Sequence, residues 1–137
     1  EQHHDVAASY NNIGIVHNEN GDNEKALEYY TKSLAIKQNT FGENHLAVAQ
    51  SYNNIGTVFK AKGDNDKALE YYNKSLAIRL NIFGENHPHV ANCYNNISHV
   101  YEAKGDSKKA KEYRTKLLAM KLNTLGGNDS NGICSLQ

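Results

Sequence analysis

Three adjacent pairs of asparagines recur along the chain, and their side chains are its most suggestive chemical feature. An asparagine amide both donates and accepts hydrogen bonds, so it can pair with the N–H and the C=O of one peptide unit. Asparagine is also a mediocre helix former, so such pairs inside helices are costly unless something uses them. The alternative is that they are solvated polar residues in an asparagine-rich protein. The pairs are Asn11-Asn12, Asn53-Asn54 and Asn95-Asn96.

The asparagine pairs recur because the sequence itself repeats with a period of 42 residues. Tyr52-Asn53-Asn54-Ile55 has counterparts one period before and one period after, and so has Gly63-Asp64. Self-similarity with a period of about 20–50 residues is typical of a repeat array, in which each unit is one supersecondary element. The elements of one repeat therefore describe the others.

Each repeat predicts two helices joined by a tight turn. Apolar or small residues recur at steps of three and four after His45, and the same spacing returns after Asp64. Gly63 is suited to end the first helix, Asp64 to cap the second, and Pro88 to begin the next repeat. Because neither helix can bury its apolar stripe alone, neighbouring repeats must stack.

The interior glycines and Arg79 also have predicted structural roles. A glycine inside a helix costs about 0.5–1 kcal/mol relative to alanine, so Gly14 and Gly56 predict a close approach of the second helix. We expect Ala26 and Ala68 to be the small residues opposite them. Arg79 stands near the end of the second helix, where a positive charge suits the helix dipole.

The composition excludes several classes of function. The 15 acidic and 15 basic residues balance, which argues against a nucleic acid or an anionic membrane as partner. No apolar run approaches the roughly 20 residues that span a bilayer, and the first residues lack a signal-peptide pattern. Cys93 and Cys134 make no disulfide framework, so we expect a cytoplasmic, reducing location.

Histidines and cysteines could form a metal or thiol centre, but their positions favour structural roles. His3, His45 and His87 occupy one junction position, which predicts a role at the start of a helix. His87 and His89 supply only two metal ligands. Cys93 falls where the other repeats carry serine, which favours packing. No glycine-rich phosphate loop or paired acid motif is present. We predict no enzyme activity, no metal and no cofactor.

The repeated motif resembles that of the tetratricopeptide repeat family. Its large, small, aromatic and turn positions read Tyr52, Ile55-Gly56, Phe59, Gly63-Asp64, Ala68, Tyr72 and Ser75. The usual unit has about 34 residues and ends in proline. The longer unit here, with Phe83-Gly84-Glu85-Asn86-His87 at its junction, is similar to the subclass found in kinesin light chains. The resemblance implies an all-α, right-handed α-solenoid of three antiparallel helix-turn-helix repeats.

The resemblance also implies a site. First helices line a concave groove in this family, and an asparagine at the position of Asn12, Asn54 and Asn96 contacts a bound peptide. Adjacent first helices about 10 Å apart match three residues of extended chain. Some members grip a C-terminal carboxylate with cations, but Ala8, Gln50 and Asn92 stand there, so that specificity is not predicted. The further candidate contacts are Asn11, Asn53, Asn95, Thr57, Lys60 and His99.

Differences between the repeats set the expected domain organisation. We assign repeats to residues 3–44, 45–86 and 87–125, and predict a flexible tail over the Gly/Asn/Ser-rich residues 126–137. Lys111 and Arg114 replace Leu69 and Tyr72 in the third repeat, which predicts a terminal repeat because its outer face is polar. The abrupt opening of the first repeat predicts that the chain is cut from a longer array.

These observations predict a non-catalytic scaffold for protein–protein interaction. Its groove would bind an extended peptide or a segment of a partner protein, and neither nucleic acid nor a membrane is expected as partner. Two alternatives remain open. The repeats could position another domain in a larger signalling protein or enzyme, or they could self-associate through apolar faces at the ends of the array.

Overall fold

Six helices in three pairs make up the structure. The computed structural model describes residues 2–136 and, within them, the side chains of residues 5–123. No strand occurs in that range, so the predicted all-α helical repeat is confirmed. The helices are α1 (Gln2–Glu19), α2 (Asn23–Phe41), α3 (Leu46–Ala61), α4 (Asn65–Phe83), α5 (Pro88–Ala103) and α6 (Ser107–Leu136).

The turn within a repeat has the predicted chemistry. Gly63 adopts a φ of 84°, in the left-handed region that favours glycine, and it follows the C-cap of α3. The Asp64 carboxylate then accepts the backbone N–H of Lys67 at 3.1 Å and caps α4. The antiparallel pairing of α3 and α4 therefore follows from residues adjacent in sequence.

The junction between repeats depends on histidine. Nδ1 of His45 accepts the backbone N–H of Ala47 at 3.0 Å, and Nδ1 of His87 accepts that of His89 at 3.1 Å. The ring of His87 also stacks on Phe83, with centroids 3.8 Å apart. The predicted role of His45 and His87 at the start of a helix is confirmed, since each ring caps the first helix of its repeat.

The core lies where each second helix packs against the first helices on both sides. The helix α2 contacts both α1 and α3, and α4 contacts both α3 and α5. Ile55 and Val58 of α3 are buried against Ala26 and Tyr30 of α2. The equivalent residues of α1, Ile13 and Val16, are exposed.

The interior glycines oppose tyrosine. A Cβ built on Gly14 would lie 2.6 Å from the Tyr30 ring, and one on Gly56 would lie 2.8 Å from the Tyr72 ring. The sequence predicts Ala26 and Ala68 opposite these glycines, but the nearest atoms belong to the tyrosine rings. A tyrosine ring needs more room than a methyl group. The backbone oxygen of Ala68 also comes near, at 3.3 Å from a Cβ built on Gly56.

The third repeat supports this explanation. Ser98 stands where the earlier repeats have glycine, and Arg114 stands where they have the packed tyrosine. The Arg114 side chain is exposed and pairs with Glu102. Because no ring covers the helix there, a side chain is accommodated at Ser98.

The last helix extends beyond the repeat pattern. The backbone of α6 is helical to Leu136, across residues for which the composition predicts a flexible tail. The side chains of residues 124–137 lie outside the described residues, and the flexible tail stays a prediction. Lys111 and Arg114 are exposed on α6, which is the polar surface expected from the sequence.

Candidate peptide-binding groove

The asparagine pairs bring the three first helices together. Nδ2 of Asn54 on α3 donates to Oδ1 of Asn11 on α1 at 3.0 Å. Nδ2 of Asn96 on α5 donates to Oδ1 of Asn53 on α3, also at 3.0 Å. The second asparagine of each repeat thus pairs with the first asparagine of the repeat before it. We call this line of amides along α1, α3 and α5 the asparagine ladder.

The ladder leaves hydrogen-bonding groups open. Each amide has two N–H donors and an oxygen with two lone pairs, and a rung uses one donor and one lone pair. Asn54 therefore keeps one N–H and its oxygen. Asn96 donates its second N–H to Oδ1 of Asn92 at 3.2 Å, so only its oxygen remains open for a ligand. The exposed Asn12 and Asn95 take part in no rung among the described side chains.

The other candidate residues have different environments. Thr57 is half-buried, and its Oγ1 donates to the backbone oxygen of Asn53 at 3.1 Å and lies 2.9 Å from the Tyr72 hydroxyl. Lys60 is exposed. His99 is exposed too, and its Nδ1 lies 3.6 Å from a carboxylate oxygen of Glu102. Thr57 is thus tied to its own repeat, whereas Lys60 and His99 face solvent.

A buried lysine beside the ladder was missed by the sequence analysis. Lys37 on α2 is 8% exposed and lines a depression of about 200 Å³ between α1 and α3. Burial lowers the pKa of its ammonium below the ordinary value, since desolvation disfavours the charged form. The other lining residues are Ala8, Asn11, Asn12, Ala47 and Gln50. The missed signal was a cation at the equivalent positions Lys37, Arg79 and Lys121.

Arg79 shows what this position does in the next repeat. Its guanidinium donates to the backbone oxygen of His89 at 3.2 Å and lies 3.3 Å from Sγ of Cys93. The expected role at the helix end was wrong, because α4 continues to Phe83 and Arg79 is buried against α5. Cys93 is likewise buried, with its Sγ 3.8 Å from Oγ of Ser75, which is the packing role that the repeats predict.

The described residues contain no cluster of three or more potential metal ligands of the His, Cys, Asp or Glu type. None of the helices, over the residues described, has the length and hydropathy needed to cross a membrane. A second depression of about 180 Å³ near Tyr94 and Met120 carries both Glu85 and Lys116, so it favours neither sign of charge.

The fold and the ladder define a helical repeat protein of the interaction-scaffold class. The family model described as tetratricopeptide repeat matches residues 5–81 and 59–123. The chain belongs to the tetratricopeptide repeat family, and the 42-residue unit is compatible with its kinesin-light-chain-like subclass. Proteins of this family generally act as scaffolds for protein–protein interaction.

Solved structures agree with this assignment. BtubC (BKLC) from P. vanneervenii is 30% identical with a TM-score of 0.82, over 88% of this chain and 48% of that one. The tetratricopeptide repeat domain of Arabidopsis FLU is 21% identical with a TM-score of 0.76, over 88% of this chain and 97% of that domain. This chain therefore spans about half of BtubC and nearly all of the FLU domain. No curated protein matches the sequence.

Proposed function

We propose that the face formed by α1, α3 and α5 binds an extended peptide segment of a partner protein. The observation that carries this proposal is the asparagine ladder, whose rungs Asn54–Asn11 and Asn96–Asn53 run across all three first helices. An amide held by one hydrogen bond has lost much of its rotamer freedom before a ligand arrives. Binding then costs less ordering entropy than it would with free side chains.

The spacing of the ladder suits an extended chain. Neighbouring first helices that stand about 10 Å apart match three residues of polyproline II or extended backbone. Each repeat then offers one amide pair per three peptide residues. The amide groups left open by the rungs include both donors and acceptors, as backbone recognition requires. Side-chain preference would come from exposed residues at the rim, such as Lys60 and His99.

Selection from a displayed peptide library followed by calorimetry with a chosen peptide would test the groove. Replacing an asparagine by alanine should weaken binding by about 1 kcal/mol, or roughly fivefold, for each lost hydrogen bond. Asn12→Ala tests an amide outside the rungs, and Asn54→Ala tests one within them. Asn73→Ala is the matched control, since Asn73 is exposed on the second helix α4.

The outcomes of this test are distinct. The proposal expects both groove variants to bind more weakly while Asn73→Ala binds as the original chain does. Equal affinity for all three variants, with unchanged helical circular dichroism, would refute it. Loss of binding in Asn73→Ala alone would move the site to the convex side.

Self-association is a second candidate, favoured by exposed apolar residues on α1 and α6. Ile13 and Val16 of α1 are 39% and 54% exposed, whereas their counterparts Ile55 and Val58 are buried against α2. Leu118 of α6 is 57% exposed, whereas its counterpart Leu76 is buried. The two apolar faces differ, so a contact between them would be head-to-tail and could continue from copy to copy.

Sedimentation equilibrium at several concentrations would test this second candidate. Association should raise the average mass with concentration, and Ile13→Lys or Leu118→Lys should abolish the increase. Ile82→Lys is the control, because Ile82 is an exposed apolar residue on the interior helix α4. A constant monomer mass for the unmodified chain across the concentration range would eliminate the candidate.

A further inference from the structure

The positive charge of the chain is concentrated on its last helix. Residues 107–123 of α6 carry six cationic side chains and one acidic one, whereas residues 1–106 carry nine cationic and thirteen acidic side chains. The neutrality of the whole chain, which argues against an anionic partner, is therefore the sum of two opposite local charges. A partner that meets α6 alone meets a strongly basic surface.

The cations of α6 also differ from the earlier ones in their surroundings. In the preceding part of the chain, five lysines form ion pairs with carboxylates, namely Lys25, Lys32, Lys62, Lys74 and Lys104. Among residues 5–123, the ion pairs of α6 involve Arg114 alone, which pairs with Glu102. Most of the charge on α6 is therefore not neutralised by the fold.

One stripe of α6 combines these cations with apolar side chains. Residues at steps of three and four share one side of a helix, and on α6 a stripe with this spacing is exposed along its length. Leu118 and Leu122 on this stripe are 57% and 59% exposed. We call the stripe the outer face of α6, and its members are Lys108, Lys111, Thr115, Leu118 and Leu122.

The outer face of α6 differs from the corresponding face of α4. On α4, Leu69 and Leu76 are buried in a cluster with residues of α5. Lys111 replaces Leu69 on α6, but Leu118 keeps an apolar side chain at the position of Leu76. A purely solvated face gains nothing from leucine, whereas lysines around exposed leucines are typical of helices that bind at the interface between lipid and water.

We propose that the outer face of α6 binds the surface of a bilayer that contains anionic lipids. Leu118 and Leu122 enter the boundary between headgroups and acyl chains, and Lys108 and Lys111 bind the anionic headgroups. A flat, deformable bilayer can cover a convex helix surface, whereas peptide-recognition domains bind their ligands in grooves or at sheet edges. The leucines disfavour nucleic acid, whose affinity comes mainly from phosphate contacts.

Co-sedimentation with lipid vesicles tests the charged part of this surface. Vesicles of equal parts phosphatidylserine and phosphatidylcholine should bind the chain, vesicles of phosphatidylcholine alone should bind it much more weakly, and sodium chloride should reduce the binding. Lys111→Gln should weaken binding to the anionic vesicles about fivefold, because each cation near such a surface contributes about that factor. Lys67→Gln is the matched control, since Lys67 is an exposed lysine on α4, and it should bind as the original chain does.

The apolar part is tested by Leu118→Ser, which should weaken binding to the same vesicles about fivefold because less apolar surface enters the bilayer. Ile82→Ser is the control, since Ile82 is an exposed apolar residue on α4. Helical circular dichroism verifies that each variant is folded. Leu122→Ser replaces Leu118→Ser if that variant does not fold.

Several outcomes would overturn the proposal. Absence of binding to anionic vesicles, equal binding to both kinds of vesicle, or equal losses in Lys111→Gln and Lys67→Gln would each do so. Binding to polyglutamate or duplex DNA but not to vesicles would assign the outer face to an acidic macromolecule instead. Asn54→Ala should bind vesicles as the original chain does, so the outer face and the peptide groove can fail separately.

Discussion

The Nδ2 group of Asn96 lies 3.0 Å from Oδ1 of Asn53, so the two asparagines are joined across adjacent repeats although they are not equivalent positions. Their separation of 43 residues exceeds the sequence period by one. The same offset joins Asn54 to Asn11. The middle repeat therefore uses both of its adjacent asparagines, one facing each neighbour, which accounts for their occurrence in pairs.

The rungs should contribute to stability. Asn54→Ala removes the donor to Asn11 and should lower the free energy of unfolding by about 1 kcal/mol, since the half-buried acceptor loses its partner. Asn12→Ala removes an exposed amide outside the rungs and should be neutral or slightly stabilising, because alanine is the better helix former. Urea unfolding followed by circular dichroism measures both. Equal effects of the two substitutions would argue that the rungs add nothing.

Gly56 should tolerate no side chain while Tyr72 is present. A Cβ at Gly56 would lie 2.8 Å from the Tyr72 ring, so Gly56→Ala should destabilise the fold by about 1–3 kcal/mol despite the helix propensity of alanine. Ser98→Ala, at the equivalent position facing no ring, should change stability by less than about 1 kcal/mol.

A double substitution separates the clash from other effects. Gly56→Ala combined with Tyr72→Leu should show a favourable coupling energy, because the ring that the new methyl meets is gone. Thermal unfolding of the two single variants and the double variant gives this energy. Strict additivity would show that the Tyr72 ring is not the obstacle.

Lys37 should cost stability at neutral pH. Lys37→Met removes an ammonium whose pKa is lowered by desolvation, so it should raise the free energy of unfolding at neutral pH. Arg79→Met removes a guanidinium that donates to His89 and should lower it by about 1–2 kcal/mol. The opposite signs at two equivalent positions make each variant a control for the other.

The effect of Lys37 should depend on pH in a defined direction. Its pKa is lowered in the folded state from the ordinary 10.5 because of burial, so the unfolded chain binds the proton more tightly. The cost is complete below the folded pKa and disappears as the pH rises through the unfolded value. The advantage of Lys37→Met should therefore shrink toward pH 10.5 in chemical denaturation, and an advantage independent of pH would contradict this account.

The Tyr52 hydroxyl should ionise at an unusually high pH. Burial, followed by its hydrogen bond to the Glu43 carboxylate, raises its pKa from 10.0 to about 12. Because the folded pKa exceeds the unfolded one, the contribution is complete below pH 10 and is lost as the pH rises toward 12. In an ultraviolet titration, the phenolate absorbance that develops at the highest pH should be missing from Tyr52→Phe. In Glu43→Gln the same absorbance should develop at lower pH. A component at high pH that is unchanged in Tyr52→Phe would contradict the prediction.

Most of the fold could be predicted from interactions between residues close in sequence. The Gly63 turn, the Asp64 cap and the His87 cap each depend on atoms within four residues of one another, so local chemistry suffices to place them. The position of Arg79 could not be predicted in this way. Its partners His89 and Cys93 lie on the next helix, at a distance and an angle that only packing sets.

The sequence by itself determined the period of 42 residues, the helix boundaries within the repeats and the stripes that become buried, because identical segments must form identical units and hide identical faces. It also singled out the asparagines as a set. The tertiary structure decided that Asn53 faces the following repeat and Asn54 the preceding one, and that Lys37 is buried beside them. These relationships depend on how the first helices of adjacent repeats are displaced along their axes, which pairs asparagines 43 residues apart. The sequence period carries no information about that displacement.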